Sequence, residues 1–371
     1  MKATMNPPPR VITNVRPAPA VSPFTPIRQW ITEHPLISFF TLTFVISWPF
    51  GFLLPALSQV MGLGPPLAAI AVSAVIAPEK VYPPTPKRLA AFAVLFVGTF
   101  AIWLLMFQYF APSRARGWPT ELSDGAVGAA IVGFVVSGIY ARGRGIRDLL
   151  TPLKTWRVGM QWYLFAVLFF PALLMAGMAI DLALGGKLPP YPYAQPSLWG
   201  ILLAFTWVFF FGGGFDEPGW RGFALPRMQL RFSPLVASLI LGCFWALWHT
   251  PDYFNGQYTS TSGTGAPALG GIIVRFFIMT PPLVLIFTWL YNRVRGSLLL
   301  LILLHTSIDA AMAVLAISTR AYLLAFALWW IAAIVVLVMT RGRLGYNHYL
   351  RETSVSAVGA QPIAKVLVSA N

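Results

Sequence analysis

The sequence predicts an all-α fold, a polytopic transmembrane helix bundle of about 8–10 spans, and three observations predict it. Only 10% of the 371 residues are charged and 57% are hydrophobic, whereas a water-soluble domain carries about 25% charged residues. Apolar runs of roughly 16–25 residues recur along the chain, close to the ~20 that a helix needs to cross the hydrocarbon core. The runs lack the alternation of barrel strands, which leaves helices as the way to satisfy every backbone group in lipid.

In chain order the predicted spans are 36–57, 62–78, 89–110, 125–140, 159–184, 197–214, 234–249, 271–291, 297–317 and 321–340. The second, fourth and seventh are short, so the count stays open. Residues 1–35 hold eight prolines, four basic residues and one acid. They read as a disordered cytoplasmic tail with no apolar stretch of its own, so no cleavable signal peptide is expected. Residues 36–140 carry almost no ionisable groups inside their spans and read as scaffold. Segment 141–160 is basic and amphipathic, and a helix on the inner membrane surface is expected there. Unusual polar content falls after it, which places the functional half at 141–340. Residues 341–371 read as a second loose cytoplasmic tail. The single cysteine, Cys243, rules out an intrachain disulfide and reads as packing filler.

The net charge of +15 raises nucleic acid as a partner, but its distribution argues for lipid. With a cytoplasmic N-terminus and ten alternating spans, the inner segments hold 21 of the 26 Lys and Arg. The outer segments hold four: Arg114, Arg116, Lys187 and Arg320. This is a positive-inside pattern, and it predicts a multi-pass cell-membrane protein with both termini cytoplasmic. Nothing else supports a nucleic-acid role.

Ionisable groups within spans are costly and stand as functional hypotheses. Asp181 and Arg275 lie near outer span ends and are expected to snorkel to the interface. In GGGFDEPGWRG (212–222), Glu217 and Arg221 are four apart and can pair on one helix face. Asp216, turned by roughly 100° from Glu217, points elsewhere. Pro218 disfavours helical geometry at Glu217. The same segment also reads as an acidic interfacial turn with Pro opening a new helix. In WALWHTPDY (245–253), His249 ends span seven between tryptophans, a place where packing histidines are common. In LLHTSIDA (303–310), His305 and Asp309 share a face at ~13 Å depth. A structural His–Asp hydrogen bond between helices is the alternative there. Two histidines with a carboxylate form a zinc-hydrolase ligand set, here Glu217, His249 and His305. A second carboxylate could act as general base on bound water. An arginine nearby could steady an oxyanion or hold an acid in place.

Three stretches, DEPGWR (216–221), WALWH (245–249) and HTSID (305–309), resemble the motifs EExxxR, FxxxH and HxxxN of the CPBP family. These are intramembrane proteases related to the type II CAAX prenyl endopeptidase, also called the ABI domain. The resemblance covers about 140–315 and includes GWRGFALPRMQLRFSPLVASLILG and RGIRDLL. It implies that Asp216 activates the hydrolytic water and that Arg221 is the motif arginine. It also implies that His249 and His305 bind metal or hold water and oxyanion, and that Asp309 takes the final amide position. The chain departs from the pattern at Asp216 for Glu, Trp245 for Phe and Asp309 for Asn. The expected function is an intramembrane endopeptidase cutting a peptide or membrane-protein substrate near the cytoplasmic face, with a divalent metal such as zinc. A catalytically inactive relative serving as scaffold or immunity protein, and a transporter, remain alternatives.

Overall fold

The computed structural model describes residues 25–54, 58–77, 83–110, 118–139, 144–189, 198–211, 214–254 and 266–358. Among the described residues the structure is helical, without strands. Five helices are long and apolar enough to cross a membrane: Pro35–Leu53, Pro86–Leu105, Met160–Ala183, Ala268–Arg293 and Thr319–Thr340. Five shorter apolar helices alternate among them, at Gly64–Ile76, Gly125–Ser137, Leu198–Phe209, Pro234–Trp248 and Leu298–Val314. Each of the ten predicted runs thus contains an apolar helix among the described residues. The sixth and ninth are short as well as the second, fourth and seventh.

Numbered in chain order, the elements are α1 (Thr25–Glu33), α2 (Pro35–Leu53), α3 (Gly64–Ile76), α4 (Pro86–Phe110), α5 (Trp118–Ser137), α6 (Arg144–Leu150) and α7 (Met160–Ala183). They continue as α8 (Leu198–Phe211), a π-helical turn Pro218–Ala224 running into α9 (Leu225–Gln229), and α10 (Pro234–Trp248). Next comes α11 (Ala266–Val274), a second π-helical turn Arg275–Met279 and α12 (Thr280–Arg293). The chain ends in α13 (Leu298–Val314), α14 (Thr319–Thr340) and α15 (Tyr346–Val358). Helix starts follow local chemistry. Ser233, Ser297 and Ser318 each accept a backbone N–H three residues on, at 3.3, 3.4 and 3.0 Å, and so cap α10, α13 and α14.

One apolar core joins α2, α3, α7, α10, α12, α13 and α14 through Phe39, Phe170, Trp220, Trp245, Phe287 and Trp329. A smaller cluster of Trp103, Ala204 and Trp207 fastens α4 to α8. Polar ties cross between helices, as expected where lipid gives no hydrophobic drive to association. Ser238 donates to Thr288 at 2.7 Å, Ser307 to the Ala166 carbonyl at 2.8 Å and Asn292 to Gln229 at 2.9 Å.

Several expectations change. Residues 25–33, placed in the disordered tail, form α1, while 1–24 lie outside the described residues. Within the C-terminal segment expected to be loose, 346–358 form α15, where the Tyr349 ring meets Tyr291 at a tilt with centroids 5.5 Å apart. The inner-surface segment gives the short α6 and a 3₁₀ turn, Thr151–Lys154, in place of one amphipathic helix. Cys243 is exposed, so it is not interior filler. Asp181 does not snorkel: it is buried, pairs with Arg320 and accepts from Ser318 at 2.6 Å, joining α7 to the start of α14. Arg275 is buried too, with its guanidinium against the Trp245 ring at the start of the second π-helical turn.

Candidate functional site

The site begins where α8 ends. Gly214 takes φ +93°, a conformation that glycine adopts without penalty, and a Cβ there would meet Ile302 of α13 at 2.9 Å. This tight turn brings Asp216 inward. Glu217 follows, and Pro218 opens the π-helical turn at a position whose N–H would have no partner in any case. The Asp216 carbonyl accepts the N–H groups of Gly219 and Trp220 at 2.9 and 3.0 Å. Such π-helical turns are frequent at functional sites.

Glu217 and Arg221 are 0% and 1% exposed and form a 3.0 Å ion pair, the pairing that their spacing predicts. Glu217 Oε1 also lies 2.9 Å from His305 Nδ1, and Asp216 Oδ1 lies 3.4 Å from the same nitrogen. One imidazole nitrogen thus faces two carboxylates from a segment 88 residues earlier. Glu217 Oε2 and Arg221 Nη2 are buried without a hydrogen-bond partner among the described residues. The Arg221 guanidinium lies over Trp245 and Phe287, 4.7 and 4.4 Å from the ring centroids.

Trp245 is the hub. Its Nε1–H donates to Asp216 Oδ2 at 3.1 Å. Its ring meets His305 edge-on at 5.6 Å and His249 at 5.7 Å, so both histidines contact one indole. His249 is the C-terminal cap of α10, and its Nδ1 is 2.8 Å from Asp252 Oδ2. The buried Arg275 guanidinium stands 5.4 Å from the Trp245 ring and hydrogen-bonds with Tyr253. Asp309 Oδ2 is 3.6 Å from His305 Nε2, and its side chain is 41% exposed.

The structure thus gathers Asp216, Glu217, Arg221 and His305 tightly. Asp309 stands at the open edge, and His249 stands one indole away. The ligand trio expected from the sequence is Glu217, His249 and His305. Among the described residues, the donors lying within 4.8 Å of one another are Asp216, Glu217 and His305. His249 packs its ring on Trp245 and Trp248, and its Nδ1 meets Asp252. Sequence reasoning missed Asp252 and misplaced Arg275. Asp252 lies beyond the end of α10, in the 3₁₀ turn Thr250–Tyr253, where helical spacing gives no signal.

Two carboxylates and an imidazole suit a divalent cation, with metal–ligand bonds of about 2.0–2.2 Å for zinc. Glu217 Oε2, buried and without a hydrogen-bond donor, fits the same reading.

Comparison with known proteins agrees with the geometry. Residues 198–311 match the family described as type II CAAX prenyl endopeptidase Rce1-like. The chain is 30% identical over 161 residues to CAAX prenyl protease 2 of Methanococcus maripaludis, an alignment covering 41% of this chain and 55% of that protein. The chain spans about half the length of the curated relative it matches. The matched stretch contains Asp216, Glu217, Arg221, His249, His305 and Asp309. Over residues 198–311 the chain is thus similar to the type II CAAX prenyl endopeptidase Rce1-like family.

Proposed function

We propose that this chain is an intramembrane endopeptidase of the CAAX prenyl protease type. The observation that carries the reading is the meeting of Asp216, Glu217 and His305 in the buried interior of a membrane helix bundle. Two acids and an imidazole on one point can hold a water and take its proton.

In this reading Asp216 accepts the proton of a water lying between its carboxylate and His305. The water oxygen bonds to the scissile carbonyl carbon, and the proton passes to the departing amine as the C–N bond breaks. Glu217 holds His305 through Oε1 and is itself held by Arg221. Asp252, accepting from Nδ1–H, fixes the tautomer and orientation of the His249 ring beside Trp245. A divalent ion, zinc by donor type, would be held by Asp216, Glu217 and His305 and would acidify the bound water. In this reading 36–140 serves as scaffold and 141–340 as the protease-like unit.

The helices that carry the site give this reading a depth. His305 is seven residues from the inner start of α13 and His249 fifteen from that of α10, or on the order of 10 and 22 Å. The middle of a core about 30 Å thick lies between them. The substrate bond is then cut near mid-membrane rather than at the inner surface, and the substrate enters from the bilayer.

The test is the purified protein in detergent against quenched peptides, prenylated CAAX peptides among them. The wild type should exceed His305→Ala by about 10²–10⁴-fold, the usual yield of acid–base catalysis. Equal rates overturn this role of His305. An inactive wild type across the panel favours a scaffold.

A further inference from the structure

Trp245 does something that packing alone does not require. Asp216 lies in a turn, not on a helix, and its carboxylate hangs on a single methylene. It depends on neighbours to fix its rotamer. The indole N–H of Trp245, from α10, donates to Oδ2 at 3.1 Å and leaves Oδ1 toward His305 at 3.4 Å. The donor is itself immobilised. Trp245 is 2% exposed and has Arg221 and Arg275 within 4.7 and 5.4 Å of its centroid. Phe287 and both histidines stand against the same ring. A fixed donor aimed at a short acid is how a site gains preorganisation.

We propose that Trp245 is a positioning residue for Asp216, and that the two are a matched pair. The shorter acid requires the indole donor, and a longer acid would not. Phenylalanine at 245 would keep an aromatic ring but lose the N–H. Glutamate at 216 would restore a methylene of reach toward His305. The catalytic part of this inference rests on the peptidase reading above. The hydrogen bond does not.

The experiment pairs two readouts on the full-length protein. In the first, the ¹⁵N-indole resonances are recorded in detergent, with Trp245→Phe assigning the signal. Asp216→Ala should move the Trp245 N–H proton upfield, and an unmoved resonance overturns the pair. In the second, turnover is measured for Trp245→Phe, Asp216→Glu and the double variant. Trp245→Phe should lower kcat about 10–100-fold, the usual cost of losing a supporting contact, with KM little changed. Adding Asp216→Glu should recover most of that loss. A wild-type rate in Trp245→Phe, or a double variant no better than it, overturns the proposal. So does a fall in melting temperature with unchanged kcat per folded molecule. A wild type no more active than Asp216→Ala sinks the peptidase reading and the positioning role together, while the indole resonance still decides the hydrogen bond by itself.

Discussion

At the scale of residues, the Glu217–Arg221 pair shows what burial costs and what it fixes. Both groups are out of contact with solvent. Removing either one leaves the other as an uncompensated interior charge, so Glu217→Ala or Arg221→Ala should each destabilise by about 3–5 kcal/mol. The double variant should cost less than the sum of the two, read by thermal unfolding in detergent, and additive losses would contradict the pairing. Asp252 acts differently. It touches His249 and not the Asp216–His305 centre. Asp252→Asn should lower turnover about 10–100-fold, as second-layer partners of histidines do, with a melting temperature near that of the wild type. The Glu217–Arg221 spacing was legible because four residues bring two side chains onto one face. Asp252 was not, because it lies beyond the end of α10, where helical periodicity gives no guide. Arg275 was misread because an apolar run shows depth but not the direction in which a π-helical turn points a side chain.

At the scale of elements, the site is built on short helices. α8, α10 and α13 have 14, 15 and 17 residues, or roughly 21–26 Å against a core of about 30 Å. In the proposed membrane placement, the turns that carry Asp216 and His249 would lie inside the bilayer. Irregular backbone at that depth is tolerated where protein or a wet cavity surrounds it. The existence of these helices was plain in the apolar runs, but their early ends were not, since Gly212 to Phe215 and Thr250 are no less at home in a span. Gly219 shows how closely the π-helical turn is seated. A Cβ there would lie 2.5 Å from the backbone carbon of Pro65 in α3. Gly219→Ala must push that turn off α3 and carry Glu217 with it. Displacements of about 1 Å can cost 10²-fold in rate, so activity should fall by that order along with the melting temperature. A variant equal to wild type in both would show that the contact yields cheaply.

At the scale of the whole molecule, the basic residues orient the bundle. Arg221, counted among the inner loops by sequence, is buried in the site, and the asymmetry survives its removal. The orientation proposed from the sequence, with ten crossings, puts both termini in the cytoplasm. In a Cys243→Ser background, Ser22→Cys and Ser369→Cys should each react with a membrane-impermeant maleimide only after the cells are permeabilised. Labelling of either in intact cells would contradict the orientation and the depth assigned to the site. The order of the ten helices and the sequence spacing of the acid and histidine motifs were readable from the chain. Which donors meet was not, because it depends on how three helices pack around one indole.

The most direct measurement is hydrolysis in H₂¹⁸O by protein reconstituted in lipid, with the product peptides read by mass spectrometry. The wild type is predicted to place one ¹⁸O in the new C-terminal carboxyl group, with the signal lost in Asp216→Ala and His305→Ala. Cleavage that carries the label equally in all three proteins would contradict a site built from Asp216, Glu217 and His305.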